Sequence, residues 1–278
     1  MNLDLFSASP AAVTRVLYLD TETTGIESFS EVCEIGLILA TYEGTDLASG
    51  VHPRSFSALL RPAEPIPPEA SAVHHITNEM VASSPALAEI VPELEPIVAG
   101  ADMIAGHNLR FDLDILLRQV PELFGRFGED AMLDTLRLAR HVWPDLPSYA
   151  LQALRYRFAL DALLQMDGSA HRALFDAALV RALLEQIAGT DLTDCKTLRE
   201  LGELARSPIE ILTFEFGKYK GQLLEDIMVS DPDYVRWLLD QSWAKKEHPD
   251  LYHTLTRKSG RRDSARARKQ GRDRKGDR

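Results

Sequence analysis

Two apolar runs near the start of the sequence most constrain how the chain can fold. Val16–Asp20 reads VLYLD and then meets Thr-Glu-Thr-Thr-Gly, which predicts a short buried strand that runs into a turn. Val32–Tyr42 predicts a second strand, and Ser55–Leu60 a third. Because strands lead and helical patterns follow, we expect an α/β or α+β domain. The later pattern predicts a strand at Met103–Gly106 and helices at Pro85–Ala99, Phe111–Val120, Tyr149–Phe158 and Ala170–Ile187.

Composition changes along the chain predict its division into parts. A main domain is expected over residues 14–189, after an N-terminal extension at 1–13. A linker at 190–207 then leads to a small C-terminal module at 208–256. The remaining residues, 257–278, hold eleven Lys/Arg against three Asp and little apolar content, so we expect a basic, disordered tail.

Charge and cysteine content restrict the function classes only in part. The net charge is −11, and the +8 tail leaves −19 on the rest of the chain. An acidic body can still act on a polyanion when its carboxylates hold divalent cations. No run approaches the ~20 apolar residues of a membrane span, and the first ten residues do not resemble a secretory signal. With only Cys33 and Cys195, we expect no disulfide framework and a cytoplasmic location.

The first candidate site segment is the acid pair Asp20 and Glu22. Residues two apart on an extended backbone point to the same face, so the two carboxylates would repel each other unless they shared a cation. Oxygen ligands of this kind suit Mg²⁺ or Mn²⁺. Gly25 allows a tight turn close by. The alternative is a pair of exposed acids at a strand end.

A second segment, His107 to Asp112, joins a strand end to a helix start. It offers Asp112 as a further carboxylate. Alternatively, Asn108 is a helix N-cap and Asp112 an acid that complements the helix dipole.

The third segment reads His171-Arg-Ala-Leu-Phe-Asp176. Positions five apart on a helix diverge by roughly 140°, so the two side chains can share a site only if His171 lies before the helix or in its first turn. Residues 167–169, Asp-Gly-Ser, supply a loop that allows this. The alternative is a loop histidine and an exposed helical aspartate.

Together the segments provide four carboxylates and one histidine on three separate elements. This inventory suits phosphodiester hydrolysis by two cations about 3.5–4 Å apart, with a general base that takes a proton from water. The pKa of free histidine lies close to neutrality, as such a base requires.

The order D-x-E-T-T-G, H-N-x-x-F-D and H-x-A-x-x-D resembles the three motifs of the DEDDh exonucleases. That family includes polymerase proofreading subunits, ribonuclease T, oligoribonuclease and exonuclease X. The resemblance covers roughly residues 14–188. It implies a ribonuclease H-like α/β fold, a mixed five-stranded sheet flanked by helices, and cleavage in the 3′→5′ direction.

The resemblance also implies roles for individual residues. Asp20, Glu22, Asp112 and Asp176 would bind two Mg²⁺ or Mn²⁺ ions, and His171 would be the general base. The tyrosine variant of the family has Tyr four residues before the last aspartate. Arg172 occupies that position here, which favours the histidine type.

Further positions match family residues that hold the terminal nucleotide: Thr23, Thr24, Asn108 and Phe111. Phe111 could equally belong to the core. Residues 73–77, Val-His-His-Ile-Thr, resemble a substrate-side H-G-I-T segment, which makes His74 a candidate contact to sugar or base.

The C-terminal module resembles the small module appended to some exonuclease X-like proteins. Its Phe-Glu-Phe-Gly-Lys-Tyr-Lys-Gly segment alternates lysine with aromatic residues, which could bind nucleic acid. Alternatively, Phe214, Phe216, Tyr234 and Trp237 form the core of a compact unit, with Lys218 and Lys220 on a solvated turn.

We therefore expect a 3′→5′ exonuclease that releases nucleoside monophosphates from single-stranded DNA or nucleic-acid 3′ ends, in repair or end trimming. An RNA 3′-exonuclease and a non-catalytic, polymerase-associated binding subunit are the alternatives. The intact carboxylates argue against the non-catalytic subunit.

Overall fold

The structure is a computed structural model that describes residues 13–43, 51–164, 168 and 170–260. The expected extension, apart from residue 13, and residues 167 and 169 of the expected loop lie outside this range. Of the expected tail, residues 261–278 also lie outside it, whereas residues 257–260 are helical. The chain divides into two compact units, Met1–Arg206 and Ser207–Arg278, which are described separately.

The first unit is built on a mixed five-stranded sheet. Its spatial order is β3-β2-β1-β4-β5, in which β2 is antiparallel to both β3 and β1, and β4 is parallel to both β1 and β5. The sheet confirms the fold expected from the sequence. The strands are β1 (Val13–Thr23), β2 (Val32–Glu43), β3 (Val51–Leu59), β4 (Met103–Gly106) and β5 (Met132–Asp134).

Helices cover both faces of the sheet. They are α1 (Pro68–His74), α2 (Asn78–Val81), α3 (Val91–Val98), α4 (Leu109–Gln119), α5 (Pro121–Phe124), α6 (Thr135–Val142), α7 (Leu151–Phe158), α8 (Ala173–Ala188) and α9 (Leu198–Arg206).

The strand β1 alternates between two hydrophobic cores. Val16 and Tyr18 pack with α8 on one face, whereas Leu17 and Leu19 pack with α3 and α4 on the other. Successive side chains of a strand leave on opposite faces. The period-two pattern therefore places Asp20 and Glu22 on the α8 face at the end of β1.

Residues 190–207, expected as a linker, contain α9. Its Leu198, Leu201 and Ala205 recur at helical spacing and join the core beside α8. Thr197 and Glu200 form reciprocal hydrogen bonds at the start of this helix, with Glu200 N–H to Thr197 Oγ1 at 3.2 Å and Thr197 N–H to Glu200 Oε2 at 2.9 Å. Such a capping box and an apolar stripe are typical of a packed helix.

The second unit is a small helical module. Phe214 is buried in its core, and Phe216 and Tyr234 pack partly against that core. Trp237, which the compact-core alternative places in the core, is 49% exposed and stacks on Tyr234. Lys218 is bound by Asp231 at 3.0 Å. The helices of this unit are α10 (Leu224–Ser230), α11 (Pro232–Leu239), α12 (Ser242–Glu247) and a last helix, α13, over 249–260.

Among the described residues, none of the helices combines the length and apolar content that crossing a bilayer requires.

Candidate active site

The first two acids lie at the carboxyl end of β1. Parallel strands β1 and β4 end at the same edge of the sheet, and this edge is where sites form in such sheets. Glu22 is buried, and Asp20 is partly buried. The two carboxylates share the α8 face, as the sequence spacing predicts.

Asp112 reaches this edge from the first turn of α4. Its Oδ1 accepts hydrogen bonds from the backbone N–H of Thr21 at 3.0 Å and from Thr21 Oγ1 at 2.6 Å. Thr21 lies between the two acids of β1, so these bonds fix Asp112 directly beside them.

His171 and Asp176 arrive together at the start of α8. The helix begins at Ala173, so His171 lies before it, with a left-handed φ of 58°. The backbone N–H of His171 donates to Asp176 Oδ2 at 3.0 Å. Ligand atoms of Glu22, His171 and Asp176 all lie within 4.8 Å of one another. The five candidate residues therefore converge at one place.

The pKa values of the four acids are raised where these residues converge. Burial, and then the charges of Asp176 and Glu34, raise the pKa of Glu22 to about 8. Burial likewise raises the pKa of Asp112 to about 7 and that of Asp176 to about 6. The pKa of Asp20 is raised by burial and by the surrounding carboxylates, Asp112 first among them.

Such a cluster fits divalent cations. Like charges held together raise one another's pKa values, and a bound cation reverses that effect. Carboxylate oxygens are the ligands that Mg²⁺ and Mn²⁺ prefer. The donor set at the end of β1 therefore suits a divalent cation.

Two residues of β2 support the site and were missed by the sequence reasoning. Gly36 lies opposite Asp20, and Glu34 lies opposite Glu22. A Cβ on Gly36 would stand 2.2 Å from the carbonyl carbon of Ala173, so only glycine lets α8 approach β2 this closely. Glu34 is 1% exposed. Its sequence signal is a lone acid within an apolar run.

Gln152 of α7 was also missed. Its Nε2 donates to Asp176 Oδ1 at 2.7 Å, and its Oε1 accepts from Arg155 at 3.3 Å. Both oxygens of Asp176 are thus held by protein groups. A glutamine in an amphipathic helix gives no sequence signal of such a contact.

Thr23 and Thr24 shape the turn that follows β1. Thr23 Oγ1 donates to the carbonyl of Gly25 at 2.7 Å, and Thr24 Oγ1 accepts the N–H of Glu31 at 3.0 Å. Both hydroxyls therefore stabilise the loop beside the acids.

Asn108 and Phe111 flank Asp112. Asn108 is the N-cap residue of α4, as one alternative predicts, but its φ of 66° is left-handed and its side chain makes no capping hydrogen bond. Its side chain is exposed. Phe111 is half-buried and packs against the core, as the core alternative predicts, and its contact with a nucleotide stays a prediction.

His74 lies beneath the turn instead of facing open space. It is 3% exposed, its Nδ1 accepts the N–H of Ile76 at 3.0 Å, and its Nε2 lies 3.3 Å from the carbonyl of Thr23. Burial lowers its pKa, which favours the neutral ring. A direct contact to sugar or base requires an exposed atom, so the structure gives His74 a supporting position under Thr23.

Comparisons with known proteins show which families the chain is similar to. Residues 17–184 match the family described as Exonuclease, and residues 214–242 match the exodeoxyribonuclease X-like C-terminal family. The chain is 32% identical to exodeoxyribonuclease 10 of Escherichia coli K12 over 237 residues, 85% of this chain and 95% of that protein. It is also 32% identical to the DNA polymerase III subunit epsilon of Treponema pallidum, over 59% of this chain and 72% of that protein.

Solved structures show the same fold. Exonuclease X in complex with 5′ overhanging duplex DNA has a TM-score of 0.51 and 30% identity, covering 68% of this chain and 99% of that one. Escherichia coli exonuclease I in complex with a dT13 oligonucleotide has a TM-score of 0.50 at 17% identity, covering 63% of this chain and 41% of that one. By its motifs, its sheet and these matches, the chain belongs to the exonuclease family.

Proposed function

We propose that this chain removes nucleotides one at a time from the 3′ ends of DNA by metal-dependent hydrolysis. The observation that carries the proposal is the convergence of Glu22, His171 and Asp176 within 4.8 Å, with Asp20 and Asp112 beside them. This set combines cation ligands with a titratable base.

In this mechanism, Asp20, Glu22, Asp112 and Asp176 would hold two divalent cations. Bound cations of this kind lower the pKa of the attacking water and stabilise the leaving oxygen. His171 takes the proton from that water. The bond from its backbone N–H to Asp176 holds its backbone beside that ligand, and the residue is partly exposed.

The preference for DNA and the 3′→5′ direction rest on relatives. Exodeoxyribonuclease 10 is named for DNA, and exonuclease X was solved with duplex DNA carrying a 5′ overhang. A recessed 3′ end lies at the junction of such a duplex. RNA is the alternative substrate.

The test uses the full chain with Mg²⁺ or Mn²⁺ on DNA and RNA oligonucleotides of one sequence, labelled at the 5′ end. A ladder of progressively shorter labelled products on DNA is the expected result. Immediate release of a labelled mononucleotide would show the opposite direction, and faster loss of RNA would make RNA the substrate.

Asp112→Asn and Asp114→Asn form a matched pair for this test. Asp112 lies in the acid cluster, whereas Asp114 is an exposed acid of the same helix, bound to Arg110 at 2.9 Å. We expect the first variant to lose activity and the second to keep it. A folded protein that leaves both DNA and RNA intact would support the binding-subunit alternative.

A further inference from the structure

Arg172 lies next to the active site and has no role in the mechanism above. Its Nε and Nη2 donate to Glu34 Oε1 at 3.1 and 2.7 Å. Its side chain is nevertheless 45% exposed. Within the described part of the chain, its Nη1 has no hydrogen-bond partner. One edge of the guanidinium is therefore bound, and the other is open.

Glu34 holds this guanidinium in a defined place. The carboxylate is almost fully buried, and its Oε2 also accepts the N–H of Ala173 at 3.0 Å. A buried charge is costly unless it is paired and hydrogen-bonded. Arg172 satisfies this requirement, and the pairing in turn fixes the orientation of the arginine.

The position of the pair relates it to the acid cluster. Glu34 is directly opposite Glu22 across β1 and β2, and Arg172 follows His171 in the chain. The Arg172–Glu34 pair therefore lies on the β2 side of the cluster.

The arginines of α7 and α8 are more enclosed, whereas Arg110 of α4 is 64% exposed and is bound to Asp114. The side chain of Arg155 is 13% exposed and is bound to Asp161, and that of Arg181 is 22% exposed and is bound to Glu185. Compared with these two, Arg172 offers the most accessible positive charge to a polyanion.

We propose that Arg172 binds a non-bridging phosphate oxygen of the nucleic-acid strand in the active site, with Glu34 as the residue that positions it. The proposal rests on the proposed function and adds a substrate contact to it. A guanidinium has several donors in a planar fork and can bind a carboxylate and a phosphate at once, which a lysine ammonium cannot do with the same geometry.

The test measures binding without hydrolysis. Fluorescence anisotropy is recorded with a 5′-labelled, phosphorothioate-protected oligothymidylate in Ca²⁺. We expect Arg172→Gln to raise Kd about tenfold, the scale of one charge-assisted hydrogen bond. The slope of log Kd against log salt is expected to fall by about 0.7, the value for one phosphate contact on a single strand.

Arg15→Gln is the matched control. Arg15 has a similar exposure of 49% and pairs with Asp102, but it lies near the start of β1, away from the acids. Its Kd should stay close to that of the unsubstituted chain. Arg172→Lys retains the charge beside Glu34 and serves as a second variant if Arg172→Gln unfolds. We expect it to recover part of the affinity.

Methylphosphonate substitution separates a phosphate contact from a purely structural role. One linkage near the 3′ end is neutralised at a time, and each probe is measured with the unsubstituted chain and with Arg172→Gln. At the contacted linkage, the methylphosphonate should weaken binding strongly in the unsubstituted chain and only slightly in Arg172→Gln. The probe and the substitution remove the same interaction, so their effects on Kd should not add.

The outcomes distinguish this inference from the proposed function. If each methylphosphonate weakened binding equally in the unsubstituted chain and in Arg172→Gln, and the unsubstituted chain still hydrolysed DNA, only the role of Arg172 would be overturned. An unsubstituted chain that neither binds nor hydrolyses DNA would overturn both.

Discussion

The backbone N–H of His171 donates to Oδ2 of Asp176 at 3.0 Å, although the two residues are five positions apart. The bond is possible because α8 begins only at Ala173 and His171 adopts a left-handed φ of 58°. The backbone thus places the proposed base and a proposed ligand at a fixed separation.

His171→Asn should test the role of this ring. Asparagine tolerates left-handed backbone better than most residues, so the local fold should persist. We expect single-turnover hydrolysis to slow about 10²-fold, the usual scale for loss of a general base. Mn²⁺ binding, measured by electron paramagnetic resonance, should remain. An unchanged rate would contradict the assignment, and lost Mn²⁺ binding would make His171 a ligand.

The acid cluster predicts a specific pH dependence of stability in metal-free protein. Burial raises the pKa values of Asp176, Asp112 and Glu22 to about 6, 7 and 8, above their unfolded values of 3.8, 3.8 and 4.5. At pH values between the unfolded and the folded pKa of each acid, the folded state binds more protons than the unfolded state. The free energy of unfolding therefore decreases as pH rises through this range. We expect Tm in EDTA to fall from about pH 6 to pH 8.

Mg²⁺ should reverse this fall, because cation binding competes with protonation of the same carboxylates. The increase in Tm on adding Mg²⁺ should therefore be larger at pH 8 than at pH 6. Asp20→Asn provides the control, and its Tm should depend less on both pH and Mg²⁺. An equal Mg²⁺ effect at both pH values in the unsubstituted chain would count against a metal site at these acids.

Much of the sheet could be predicted because its strands carry local signals. The four residues before Asp20 and the four residues of β4 are apolar, and site residues follow both runs in the chain. The strand β5 has three residues, Met132–Asp134, which is too short for any period to appear. It becomes a strand through pairing with β4, a tertiary interaction that no local pattern reports.

The site also contains residues with a local sequence signal and residues that only tertiary contacts identify. Asp20 and Glu22 could be paired from their spacing, because strand geometry relates residues two apart. Gln152 and Glu34 act through contacts across 24 and 139 positions of sequence. Such contacts follow from how α7 and β2 pack against α8, and this packing is set by the whole core.

Gly36→Ala should disturb the site through the backbone of α8. The added Cβ would lie 2.2 Å from the carbonyl carbon of Ala173, so the helix start must move away from β2. We expect a loss of about 1–3 kcal/mol in the free energy of unfolding, typical of overpacking. Activity should fall further than stability alone explains, because Asp176 moves with the helix.

Gly189→Ala at the other end of α8 is the control. Its φ is −81°, and an added Cβ would have its nearest contact at 3.4 Å. Urea unfolding and hydrolysis rates are measured for both variants. Full activity of Gly36→Ala would show that the approach of α8 to β2 does not set the geometry of the acids.

Gln152→Met should weaken metal binding without changing the fold. The variant keeps the length of the side chain but removes the donor to Asp176 Oδ1. Loss of a partner that orients a ligand typically costs 10–100-fold in metal affinity, so we expect the Mg²⁺ concentration for half-maximal activity to rise at least about tenfold. Gln186 is a half-buried glutamine on α8, and Gln186→Met should leave this Mg²⁺ concentration unchanged. Equal Mg²⁺ requirements in both variants would contradict the orienting role.

His75→Gly should stabilise the chain. His75 ends α1 in a left-handed conformation with φ 60°, and its N–H donates to Ser71 O. Glycine adopts this conformation without the steric cost that a Cβ imposes, and it is the common residue at this helix position. After allowing for the greater freedom of glycine in the unfolded chain, we expect a gain of about 0.5–1 kcal/mol in the free energy of unfolding by urea. Ala82→Gly, at a right-handed φ of −55°, should instead lower it, because glycine there brings only the entropic cost. A loss of stability in His75→Gly would mean that the imidazole makes a stabilising contact that outweighs the strain of its backbone.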